Sequence, residues 1–307
     1  MKNTRFFRQA ELLLHILPFF SGNDIFALKG GTAINFFIRN LPRLSVDIDL
    51  AYLSINDREK AIAEMSAVLE KTAEQISQRL SIFQIERKYL ADSHQTVALL
   101  IKKEDVSVKI EPNLVIRGAV FPEEKRTLCD KAETLFEQSV TANTLSFADI
   151  YAGKICAALD RQHPRDLFDI KLLLENEGLT DEIRKAFIVY LISHPRPIVE
   201  LLDPNFNDIS KTYENEFRGM TTEKIRLKDL IQTRATLVQL IKEKLTTNER
   251  RFIISVKQRK PQWRLFGIEH VRDLPAVKWK LINLQQMDSS KHQKAVKRLQ
   301  NFLELSF

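Results

Sequence analysis

The sequence predicts an α+β protein: a mixed β-sheet flanked by helices over the N-terminal part, then a mostly helical C-terminal part. Three observations carry this. Short apolar or alternating runs at 25–29, 46–51, 82–87, 96–102 and 106–111 have the pattern of strands, with helix-period runs between them. After about residue 140 strand signals thin out, and helical patterns follow at 148–160, 164–176, 181–193 and 224–245. The 307 residues are 44% hydrophobic and 28% charged, enough apolar material for one large domain or two ordinary ones. The change of pattern places an N-terminal lobe at 1–140 and a C-terminal lobe at 141–307, with a cleft between them.

The elements follow in order. Phe6, Phe7, Ala10, Leu13, Leu14 and Leu17 recur at helical spacing, and Pro18 ends that helix. Ile25 to Lys29 is a short buried strand that enters a glycine turn, and Thr32 to Arg39 is a helix with Ala33, Phe36 and Phe37 inward. Pro42 sits in a loop spanning Asn40 to Ser45, and Val46 to Ala51 is a strand. Ala61, Ile62, Met65, Val68, Leu69, Ala73, Ile76 and Leu80 mark a long helix over 57–80. Strands at 96–102 and 106–111 are joined by a Lys-Glu-Asp turn. In the C-terminal lobe Arg250–Gln258 reads as a strand and Ser290–Leu305 as a final basic helix with Ser290 as N-cap.

Two features near the start carry chemistry. Gly30-Gly31-Thr32 lies at the mouth of a helix, where glycines admit close backbone approach and successive N–H groups favour an anion. Asp47 and Asp49 are two apart on a strand, so both side chains share a face. A free carboxylate pair flanked by Val46, Ile48 and Leu50 is costly, and a bound cation relieves the cost. Paired carboxylates beside a phosphate cradle suit Mg²⁺ and the phosphates it bridges. The simpler alternatives are two solvated acids at a strand end and an ordinary helix start capped by Thr32. Lys29 precedes the turn and would add positive charge there. Further on, Lys154 shares a helix face with Ala158 and Arg161. Asp166 and Asp169 are three apart on a helix opened by Pro164. Asp166 sits where the helix dipole favours an acid; Asp169 lies among Leu167, Phe168 and Ile170 and needs a partner, Lys154 or Arg161. Arg161 and Arg165 match phosphate geometry, and His163 is structural or substrate-facing.

The glycine turn, the Asp47-Ile48-Asp49 strand and the block from Ala148-Asp149-Ile150-Tyr151-Ala152-Gly153-Lys154 to Arg161-Gln-His-Pro-Arg-Asp166-Leu-Phe-Asp169 together resemble the DNA-polymerase-β-like nucleotidyltransferases. Within that superfamily the chain is similar to the AbiEii-type toxins, well over about 25–175 and loosely beyond. The resemblance implies a nucleotidyltransferase-like N-terminal lobe and a helical lobe that completes the active site. It implies that Asp47, Asp49 and a third acid, Glu111, hold metal, with Asp49 catalytic, although Lys109 and Glu111 also suit a plain surface pair. It implies a catalytic Lys154, a functional Asp169 assisted by Asp166, and a nucleotide bound by Lys29, Gly30, Gly31, Thr32 and Arg161. The expected cofactor is Mg²⁺, the substrate an NTP, the acceptor RNA and specifically tRNA, and the further partner a cognate antitoxin. The alternatives are a transferase with a protein or small-molecule acceptor, and a nucleotide- or RNA-binding module without turnover.

Walker A, Rossmann, zinc-cluster and Gly-x-Ser-x-Gly patterns are missing, which removes the commonest competing enzyme classes. Cys129 and Cys156 are the only cysteines and sit in no Cys/His cluster, so both are expected as reduced, packed thiols. No apolar run is long enough to span a bilayer and no secretory pattern opens the sequence, so a cytoplasmic protein without membrane contact is expected. The net charge of +7 is uneven: residues 250–307 hold 13 Lys and Arg against 4 Asp and Glu, a net +9. A basic segment of this kind suits a polyanion, with a solvated helical surface as the plainer reading.

Overall fold

In the computed structural model, which describes residues 4–20, 22–80 and 82–304, the strand patterns meet in one mixed sheet, seven-stranded among the described residues. Its strands are β1 (Phe26–Lys29), β2 (Asp47–Tyr52), β3 (Gln84–Tyr89), β4 (Thr96–Lys103), β5 (Val106–Pro112), β6 (Glu124–Thr127) and β7 (Thr141–Thr144). They lie in the order β3-β4-β5-β2-β1-β7-β6. β2 pairs antiparallel with β1 and parallel with β5, which places the carboxylate-bearing strand in the sheet interior. Leu28, Ile48, Leu50 and Ile110 are buried there, so backbone and side chains together fix the register.

Four helices of this region are described: α1 (Arg5–Ile16), α2 (Gly30–Thr32), α3 (Arg58–Arg79) and α4 (Asp130–Phe136). Asp57 caps α3 by accepting from the Lys60 N–H at 2.9 Å, and Ala61, Ile62, Met65, Leu69, Ala73 and Ile76 line its buried side. α2 continues directly into a π-helical turn, Ala33–Ile38, in which the Arg39 N–H reaches the Ile34 carbonyl at 2.7 Å. The expected ordinary helix over 32–39 is therefore corrected. It opens two residues earlier, with Lys29 rather than Thr32 as N-cap, and widens after one turn.

The chain divides into two compact units, residues 1–146 with 218–224, and residues 147–217 with 225–307. β7 belongs to the first unit because it pairs with β1 and β6. In the second unit, α5 (Phe147–Asp160), α6 (Pro164–Asn176), α7 (Asp181–Ser193), α8 (Ile198–Leu202) and α9 (Ser210–Glu216) come first. They are followed by α10 (Leu227–Lys244), α11 (Thr247–Lys257), α12 (Pro275–Gln286) and α13 (Ser289–Phe302). α7 is buried from Ile183 to Ser193 apart from Lys185, as expected of a helix that is apolar almost all round.

Two expectations in this unit are corrected. The strand expected at Arg250–Gln258 is helix α11: Thr246 and Glu249 form a capping box that starts a helix ahead of the β-branched run. The final helix is capped by Asp288, which accepts from the Lys291 N–H at 3.0 Å, rather than by Ser290. Leu305, where that helix was expected to end, lies outside the described residues. No described helix is long and apolar enough to cross a membrane. Cys129 and Cys156 are free thiols, the second buried, and desolvation pushes the titration of both up.

Candidate active site

The first cluster grows out of the register of three strands. Asp49 on β2 lies opposite Lys29 on β1 and Glu111 on β5, and Asp47 lies opposite Lys109. Register partners share a sheet face, so these five charged side chains project together. Along β2 the acids are half-buried while Ile48 and Leu50 are buried, so alternation turns Asp47 and Asp49 away from the core.

The glycine turn closes over this row. Gly30 has φ 72°, and a Cβ added there would overlap the Asp49 carboxylate, coming 3.2 Å from its Cγ. A Cβ on Gly31 would meet Arg43 Nη2 at 2.7 Å and Ser45 Oγ at 3.1 Å. Both glycines thus make room for a charged side chain, Asp49 at Gly30 and Arg43 at Gly31, and the carboxylate of Asp49 rests against the start of α2. The Thr32 hydroxyl is fully buried, bonds the Asp47 carbonyl at 2.5 Å and lies 3.0 Å from Ser45 Oγ. It fastens the turn to β2 and leaves the backbone as the part of Thr32 that a phosphate would meet.

Arg43 and Ser45, which the structure brings against the glycine turn, are not anticipated there because their segment reads as a loop. Arg43 is 2% exposed, and its Nη1 donates to the Leu44 carbonyl at 2.9 Å. A signal was present: Arg43, Ser45, Asp47 and Asp49 recur at every second residue, so the polar period starts before the strand does.

The donor set fits a hard divalent cation. Mg²⁺ is commonly held by one or two carboxylates with substrate phosphates completing its shell, rather than by an all-protein cage. Asp47 and Asp49 offer two such groups on one half-open face. Glu111 is beside Asp49 in register, but its carboxylate is ion-paired with Lys109. Among the described residues no group of three or more potential metal ligands is gathered.

The second cluster lies wholly in the helical unit. Lys154 on α5 places Nζ 2.7 Å from Asp166 Oδ1 and 3.0 Å from Asp169 Oδ2, both on α6. The three side chains are 6%, 1% and 0% exposed. Arg161 grips Asp166 with Nε at 2.6 Å and Nη2 at 3.1 Å, while over half of its side chain stays exposed. Burial alone would push the Asp166 carboxyl up, but the charges of Lys154 and Arg161 hold it well below the usual carboxylate range.

Local sequence builds this arrangement. Pro164 opens α6, and His163 Nδ1 accepts from the Arg165 N–H at 3.1 Å as its N-cap. His163 Nε2 is 3.1 Å from Glu216 Oε2, which fits a neutral ring with its proton on Nε2. Burial pushes this imidazole down, with Glu216 opposing. His163 is therefore a helix cap here. The partner that Asp169 required is Lys154. Arg165 is partly buried near the start of the same helix.

A turn that presents backbone N–H groups, a carboxylate pair beside it on a central strand of a mixed sheet, and a lysine held between buried acids describe a nucleotidyltransferase. The family model for the nucleotidyl transferase AbiEii toxin of type IV toxin–antitoxin systems matches residues 11–283. The chain belongs to this AbiEii family, and is a nucleotidyltransferase toxin. Among solved structures it is similar to MenT4, the nucleotidyltransferase toxin Rv2826c from Mycobacterium tuberculosis H37Rv. The TM-score is 0.62 at 16% identity, over 91% of this chain and 93% of that one, a likeness of fold. A comparison with curated proteins finds no match.

Proposed function

We propose that this toxin transfers a nucleotide from an NTP to RNA, with tRNA as the acceptor, and so arrests growth until an antitoxin counters it. The observation that carries the reading is the Lys29–Asp49–Glu111 row lying directly under the Gly30 turn. Asp49 in this row and Asp47, two residues before it on β2, would hold Mg²⁺, with Glu111 as a third acid once it leaves Lys109. When bound, the ion neutralises charge on the triphosphate.

The chain's own groups do the rest. Backbone N–H groups of Gly30, Gly31 and Thr32 receive the phosphates, and Lys29 adds positive charge beside them. Asp49 is the acid on which turnover depends. Arg161, held by Asp166 with over half of its side chain exposed, contacts phosphate. Lys154, oriented by Asp166 and Asp169, neutralises charge on the transferred group. The acceptor hydroxyl forms its bond to the α-phosphorus as the bridge to the β-phosphate breaks and pyrophosphate leaves. The NTP and tRNA place this activity in the cytoplasm.

The test is incubation of the purified protein with each labelled NTP, Mg²⁺ and total RNA. One small RNA species is expected to take up label from one or two nucleotides. Asp49→Asn, or chelation of the metal, should abolish it while the fold persists. Label on protein instead of RNA moves the reading to a protein acceptor. No label with any nucleotide, together with undiminished toxicity of Asp49→Asn in cells, leaves only a binding module.

A further inference from the structure

Helix α12 buries Ala276, Val277, Lys280 and Leu284 and turns a different set outward. On the outer side Trp279 is 60% and Ile282 44% exposed, and Asn283 and Gln286 are exposed as well. Spacings of three, four and seven residues from Trp279 put these four on one helix face. An indole left in water on a described helix is unusual, because burying an aromatic ring is among the largest gains available to a side chain. The platform is also firmly set. Lys280, one residue on, donates from its buried Nζ to the carbonyls of His194 at 2.5 Å and Arg196 at 2.9 Å, at the end of α7.

Charge says what covers this face. Residues 250–307 carry a net +9; Lys278 directly precedes Trp279 on α12 and is 57% exposed, and Arg272, which shares Asp273 with it, is 56% exposed. Asp273, 3.0 Å from Lys278 and 3.7 Å from Arg272, offsets only part of that charge. A second copy docking through the same patch would set two such basic segments against each other. Nucleic acid answers the charge, the ring and the amides together: phosphates meet the cations, a base stacks on the indole, and Asn283 and Gln286 can bond base edges.

We infer that the outer face of α12 is a docking platform for single-stranded RNA, with Trp279 as the stacking surface for an unpaired base. This rests on the proposed RNA acceptor but is measured by binding alone. Trp263 and Trp279 are the only tryptophans, and Trp263 is tilted against Phe252 at 5.3 Å between ring centroids. In a Trp263→Phe background Trp279 is therefore the sole indole emitter of the full-length chain.

Titration with a mixed-sequence single-stranded RNA should quench that emission, while duplex RNA and poly-L-glutamate should not. Trp279→Ala should weaken single-strand binding by about tenfold or more, whereas Trp279→Phe keeps a ring and should lose roughly threefold or less. Unchanged affinity of Trp279→Ala, or equal quenching by polyglutamate, overturns the proposal. So does quenching that rises with protein concentration alone and follows dimer formation in sedimentation. A protein that binds RNA through Trp279 yet transfers no label to it refutes the proposed RNA acceptor and keeps this one. Label transfer with a silent Trp279 refutes this one alone.

Discussion

Lys154 shows how much one side chain depends on its partners. Its ammonium is held by two carboxylates that are almost wholly out of water. Replacing it with methionine would leave Asp166 with Arg161 and Asp169 without its principal cation. Breaking such a buried set by removing one member typically costs about 3–5 kcal/mol. Lys154→Met should therefore lower the unfolding free energy, measured by denaturant titration, by that amount, besides abolishing transfer. The same residues set a pH dependence. The Asp166 carboxyl lies below its unfolded value, so its contribution is fully present above the ordinary carboxylate range and is lost as pH falls through the folded value. His163, pushed down by burial, acts in the same sense, since the unfolded chain binds its proton first. Stability measured by urea titration should decline from about pH 6.5 downward and most steeply below about pH 4. A profile flat to pH 3 would contradict the buried pairing.

Among the elements, α2 and α11 illustrate opposite lessons. Gly30 combines a left-handed backbone with an Asp49 carboxylate filling the space a Cβ would take. Gly30→Ala should depress transfer strongly, because the added methyl either displaces Asp49 or unwinds the turn. A melting temperature near wild type with lost activity would mark the first outcome. α11 was misread because Phe252, Ile253, Ile254 and Val256 resemble a buried strand, and a short apolar run does not reveal its own period. The capping box at Thr246 and Glu249 was the overlooked signal. Thr246→Ala should cost about 1 kcal/mol in unfolding free energy, the usual value of an N-cap. By contrast α6 and α7 were legible to the residue, since Pro164 at the first turn, and Thr180 before Asp181 and Glu182, announce their starts. β6 and β7 were not anticipated: four polar-leaning residues each acquire strand identity only from the partners they bond.

At the scale of the whole molecule, the uneven charge makes the clearest claim. If the basic C-terminal segment meets RNA, affinity should fall steeply with salt, because each neutralised phosphate releases condensed counterion. Between about 50 and 200 mM salt a loss of tenfold or more is expected for a few such contacts, measured by filter binding or anisotropy. A salt-insensitive complex would contradict an electrostatic interface. The sequence by itself determined the α+β class, the glycine turn, the Asp47–Asp49 pair and the helical block bearing Lys154, Asp166 and Asp169. These follow from local rules of periodicity, glycine freedom and helix caps that act over a few residues. Only the tertiary structure decided that Asp49 stands between Lys29 and Glu111, that Arg43 lies against Gly31, and that Lys154 is clasped by Asp166 and Asp169. Register and burial belong to segments far apart in the chain, and no local pattern encodes which buried charge will find which partner.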